Sequence, residues 1–109
     1  MADRWVRAAA AADVDDDDVI EVQVDGVTIA LYQAGGAFYA TDGICSHEHA
    51  QLADGFLSGT IIECPKHQGR FDIRTGAPKG APACVPIRTF PVKVADGGVY
   101  VQVEPGAGA

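Results

Sequence analysis

With 109 residues, a formal net charge of −7 and 48% apolar residues, the chain has room for one folded domain with a single modest core and none for a second catalytic domain. The acidic balance disfavours nucleic-acid backbones and anionic membrane surfaces, which require clustered Lys and Arg, and it suits a partner with a basic face. Three cysteines make a poor disulfide framework and point to a reducing compartment.

The N-terminus has an alanine run, Ala8 to Ala12, that meets Asp13 at once. It is too short and too weakly apolar for a signal peptide, and no stretch approaches a membrane span. A cytoplasmic protein is expected. Trp5 to Ala9 alternates and reads as a first edge strand. The acidic run Asp13 to Asp18, with Asp15 to Asp18 at its heart, reads as a solvated loop without the spacing of a calcium-binding loop. In Val19 to Val24, Ile20, Val22 and Val24 share one face and Glu21 and Gln23 the other, the period of a strand. Asp25-Gly26 is a two-residue hairpin signal. Val27 to Gln33 is the return strand, Ala34-Gly35-Gly36 the next turn, and Ala37 to Thr41 a third strand.

Beyond Gly43 the pattern changes. His49 to Gly59 reads as a loop, Thr60 to Glu63 as a short strand, and Arg70 to Ile73 as another, closed by Thr75-Gly76. Ala77 to Pro86 holds Pro78, Pro82 and Pro86 and reads as an extended loop with no strand, because proline cannot donate to a ladder. Arg88 to Val94 and Val99 to Val103 form a last hairpin around Asp96-Gly97-Gly98, and Pro105 to Ala109 is a tail. Trp5 and Phe90 are expected in core or subdomain packing. The class is all-β, with many short strands and turn signals at close spacing.

Two stretches stand apart, Cys45-Ser46-His47 and Cys64-Pro65-Lys66-His67. Each pairs a thiolate with an imidazole, the ligands that transition metals prefer. The bland alternative is a set of unrelated core cysteines and surface histidines. A zinc finger usually places both cysteines on one arm and both histidines on the other. Here both arms are mixed, which fits a [2Fe–2S] cluster with unlike irons, one taking both thiolates and the other both imidazoles. A structural zinc module remains the competing class. His49 reads as an exposed residue because the preferred ligands are already spaced, and Cys84 as a small buried or half-buried thiol.

With these motifs, the chain resembles the Rieske-type [2Fe–2S] ferredoxins of multicomponent aromatic-ring-hydroxylating dioxygenase systems. The flanks Tyr39-Ala40-Thr41-Asp42-Gly43-Ile44, Gln68-Gly69-Arg70-Phe71-Asp72 and Pro86-Ile87-Arg88-Thr89-Phe90-Pro91-Val92 share the likeness, which covers about Val6 to Val103. The resemblance implies antiparallel sheets with a cluster-binding subdomain (about 42–82) inserted in a basal β-subdomain (about 1–41 and 83–109). It implies one cluster, with Cys45 and Cys64 on the buried iron and His47 and His67 on the outer one. Ala50, Gln68 and Pro82 would border the histidine edges.

The implied function is that of a monomeric electron carrier and no enzyme in itself. It would shuttle single electrons from an NAD(P)H-dependent flavoprotein reductase to a terminal oxygenase. A subunit that permanently houses a Rieske centre within a larger enzyme is the alternative. Respiratory Rieske proteins carry two further cysteines, where this chain has Ala50 and Lys66, and sulfur-bonding hydroxyls, where it has Gly69 and Phe71. With those hydrogen bonds missing, the potential is expected near the low end of the Rieske range, on the order of −150 mV.

Overall fold

Strand β1 (Val6–Ala10) leads through a 3₁₀ turn at Ala11–Asp13 to β2 (Asp18–Val24), β3 (Val27–Ala34) and β4 (Ala37–Asp42) in the computed structural model, which describes residues 5–44, 50–65, 69–80 and 86–103. Asp15, Asp16 and Asp17 between β1 and β2 are exposed, as a solvated acidic loop should be. Asp25 and Gly26 take φ of 51° and 79°. That left-handed pair matches the twist of the flanking strands, so β2 and β3 pair in strict register from Asp18↔Gln33 to Val24↔Val27. The β3–β4 ladder continues from Ala34↔Ala37 to Ile29↔Asp42.

After β4 come a 3₁₀ turn at Leu52–Asp54, then β5 (Phe56–Ser58), β6 (Ile61–Glu63), β7 (Arg70–Asp72) and β8 (Pro78–Gly80). The last three strands are β9 (Thr89–Phe90), β10 (Val92–Ala95) and β11 (Gly98–Val101). Among the described residues the strands form three antiparallel sheets, ordered β1-β11-β10, β2-β3-β4-β9 and β5-β6-β7-β8.

The middle sheet separates two cores. Ile29, Ala30, Leu31 and Tyr32 on β3 are all fully buried. Alternation sends Ile29 and Leu31 to a core shared with Val99 and Val101 of the first sheet. It sends Ala30, Tyr32 and Ala34 to a core shared with Ile62, Cys64 and Phe71 of the third. A strand buried on both faces is the natural centre of such a three-layer stack.

Three expectations are corrected. The stretch Ala77 to Pro86 does contain a strand, β8. Pro78 is its first residue and β8 is an edge strand, the position where a missing N–H is tolerated. The stretch His49 to Gly59 is not all loop, since it holds the 3₁₀ turn and β5. Arg88 to Val94 is not one strand. Pro91 divides it, and the chain crosses there from the middle sheet (β9) to the first (β10), with Gln102 N donating to Pro91 O at 3.0 Å. Trp5 is half-buried, with Lys93 Nζ 4.8 Å from its ring centroid.

Candidate metal centre

Both arms leave from the ends of paired strands. The first leaves β4. Gly43 N donates to Thr28 O, Leu52 N donates back to Gly43 O, both at 2.9 Å, and Ile44 bridges to Gln51. Chain departure at Gly43–Ile44 and return at Gln51–Leu52 are therefore pinned side by side. Gly43 is required by close approach: a Cβ there would lie 2.7 Å from Thr28 Cγ2 and 3.1 Å from the Ile29 backbone. The second arm is the tip of the β6–β7 hairpin. Glu63 pairs with Arg70, and Cys64 N donates to Gly69 O at 2.7 Å, so the two flanks of this arm are held together.

Cys64 is the one predicted ligand that lies within the described residues. It is 1% exposed and belongs to the same buried cluster as Ala50, Leu52, Ile62, Phe71 and Ile87. Ala50 ends the first tip and Cys64 opens the second, so the roots of the two arms meet in one core. Cys45, His47 and His67 lie outside the described residues, as do His49, Lys66, Gln68, Pro82 and Cys84. Ala50 itself is 6% exposed. It packs in the core with Leu52, Ile62 and Cys64, not on the rim where the resemblance put it. Phe71 is fully buried and Gly69 is buried, so neither sulfur-bonding hydroxyl has a substitute at those two positions.

Two carboxylates brace the arms, and sequence reading missed both roles. Asp72 ends β7 with its side chain 4% exposed. Arg74 forks onto it, Nε to Oδ1 at 3.1 Å and Nη2 to Oδ2 at 2.9 Å, and Arg74 N donates to Oδ1 at 2.9 Å. The Arg74 hydrogen bond holds the Asp72 carboxyl below its usual range, against the opposing effect of burial. Asp42 at the end of β4 is forked by Arg88, Nη2 to Oδ1 at 2.7 Å. That bond in turn raises the Arg88 pKa. The two residues are 46 positions apart, and nothing local in the sequence links them. Among the described residues, no buried side-chain polar atom lacks a partner.

A two-iron cluster fits this setting. The sequence offers thiol and imidazole donors on both arms, and Cys64, the cysteine that can be described, is inside the core. Comparison with known proteins agrees. Residues 4–91 match the Rieske [2Fe-2S] domain family. The ferredoxin component of the naphthalene 1,2-dioxygenase/salicylate 5-hydroxylase systems of Ralstonia sp is 45% identical over 95% of this chain and 100% of that one. A ferredoxin of Sphingomonas yanoikuyae B1 superposes with a TM-score of 0.88 at 40% identity, covering 93% of this chain and 100% of that chain. Another similar solved structure, with a TM-score of 0.87 and 39% identity over 94% of this chain and 96% of that chain, is from a complex of reduced oxygenase and oxidized ferredoxin in carbazole 1,9a-dioxygenase.

The chain therefore belongs to the Rieske [2Fe-2S] family and, within it, to the ferredoxin components of aromatic dioxygenase systems. It carries one Rieske-type [2Fe–2S] cluster and serves as an electron carrier, not as a catalyst.

Proposed function

We propose that Cys45 and Cys64 hold the inner iron of the cluster and His47 and His67 the outer iron, and that the protein passes electrons singly from an NAD(P)H-dependent flavoprotein reductase to a terminal oxygenase acting on aromatic compounds. The observation that carries this reading is Cys64. It is buried at the root of one hydrogen-bonded tip, in the same core cluster as the end of the other. The cluster supplies reversible one-electron storage. The chain sets its environment: apolar side chains packed with Cys64 exclude water.

The sheet β5-β6-β7-β8 falls inside the window 42–82, which supports that window as the cluster-binding subdomain and the remainder as the basal one. Absence of hydroxyls at Gly69 and Phe71 supports a low potential. Among the described residues no helix is long and apolar enough to cross a membrane. A monomer in the cytoplasm is the reading that agrees with the reducing compartment inferred from cysteine usage.

The test is reconstitution with the reductase and oxygenase of a naphthalene dioxygenase system. Product formation that depends on this protein supports the reading. NAD(P)H oxidation that never yields product, with the cluster fully reduced, contradicts the oxygenase as partner.

A further inference from the structure

The first arm springs from Asp42, and every polar atom of that residue is engaged. Its N–H donates to Arg88 O at 2.9 Å, and its carbonyl accepts Thr41 Oγ1 at 2.8 Å. Its Oδ1 accepts Arg88 Nη2 at 2.7 Å and Nε at 3.0 Å, and its Oδ2 accepts Arg88 N at 2.8 Å. The guanidinium also lies 5.3 Å from the Phe90 ring centroid, which limits its own freedom.

The same strand of chain reaches the second arm. Ile87 N donates to Gly76 O at 3.0 Å, and Gly76 N donates to Asp72 O at 2.7 Å. Asp72 ends β7, the strand that leaves the second arm. The approach is tight, since a Cβ on Gly76 would lie 2.0 Å from Ile87 O. Residues 87 and 88 thus tie the root of one arm to the far end of the other arm's strand.

The Arg88 side chain is 64% exposed and that of Asp42 22%. Ion pairs so open to solvent add little to global stability. A bidentate fork reinforced by backbone bonds on both sides has another evident use, which is geometry. Resting on the ligand assignment proposed above, we infer that Asp42 and Arg88 form a positioning clamp that fixes the Cys45- and His47-bearing arm relative to the second arm. Neither residue is a ligand. Removing the fork leaves the backbone bonds, so the sheets persist while the root of the first arm gains freedom.

The test follows loss of visible absorbance from oxidised holoprotein in excess EDTA, with EPR of the reduced proteins alongside. Arg88→Ala should bleach about five-fold faster than the parent, the scale set by one exposed, well-formed pair. Arg88→Lys keeps the charge without the fork and should fall between. Lys93→Ala, which removes the exposed contact to Trp5 in the first sheet, should bleach at the parent rate. Broadened EPR lines in Arg88→Ala, from a spread of arm geometries, would agree.

Parent-like bleaching of Arg88→Ala, or equal acceleration in Arg88→Ala and Lys93→Ala, would overturn the clamp. If Arg88→Ala does not accumulate with cluster, Arg88→Lys decides alone, and a parent rate there overturns it. Failure of the ligand assignment looks different: Cys45→Ser would then keep an intact spectrum whatever happens at Arg88.

Discussion

Tyr32 Oη donates to Thr41 Oγ1 at 2.8 Å, deep between the middle and third sheets. The direction follows from proton count, because the single Thr41 hydroxyl hydrogen is given to Asp42 O at 2.8 Å. The pair therefore links the core to the residue from which the first arm departs. Thr41→Val strands a buried phenol and should cost about 1–3 kcal/mol in urea unfolding. Tyr32→Phe removes the donor and leaves only an acceptor on Thr41 unfilled, so it should cost less. Equal costs would show that the bond has no directional role.

Burial raises the Tyr32 phenol pKa well above its ordinary value. The group is neutral in both states below about pH 10, where the unfolded phenol begins to ionise. Above that, ionisation favours the unfolded chain, so stability should fall as pH rises past about 10. Unfolding midpoints of the parent and Tyr32→Phe measured from pH 9 upward should diverge, with the variant losing less.

Asp72 works in the opposite direction. Its lowered pKa stabilises the fold above the unfolded carboxylate value, and that contribution is lost as pH falls through the folded value. Arg74→Ala removes the main cause and leaves a nearly buried carboxylate with the Arg74 backbone donor. The acid limb of the stability curve should move to higher pH. An unmoved acid limb would contradict the assigned cause.

Gly43→Ala places a methyl against Thr28 Cγ2 and the Ile29 backbone. The yield of cluster-bearing protein should fall, measured as iron per chain. Adding Thr28→Ser removes the Cγ2 contact and should recover part of the loss. It should not recover all of it, because the backbone contact remains.

Phe71→Tyr restores one hydroxyl at a position matching a respiratory sulfur-bonding group. If that hydroxyl reaches a cluster sulfur, a hydrogen bond of about 1 kcal/mol that favours the reduced cluster raises a one-electron midpoint by roughly 40 mV. Protein-film voltammetry reads the shift. A lowered midpoint in a correctly loaded variant would contradict the account of the low potential.

Local chemistry made much of the architecture legible. Asp25-Gly26 announced the β2–β3 hairpin, and Asp96-Gly97, with φ of 51° and 75°, the β10–β11 hairpin. Alternation placed Ile20, Val22 and Val24 on one face, where they join the first core. The strand at Pro78 was hidden because the proline rule speaks to interior strands and says little of edges. The split at Pro91 was hidden for a different reason. A change of sheet depends on what the flanking residues pair with, and Phe90 pairs with Ala40 while Val92 pairs with Val101. The metal chemistry was legible in two short motifs. Their bracing was not, because Asp42 and Arg88 meet only once the chain has folded.

The proposed centre is a two-iron cluster with two thiolates on one iron and two imidazoles on the other. Pulsed EPR of the dithionite-reduced protein tests it most directly. Two iron atoms per chain, a rhombic signal and coupling to two imidazole nitrogens are expected, with the signal abolished in His67→Ala. A colourless protein holding one zinc, or a reduced cluster without nitrogen coupling, would contradict it.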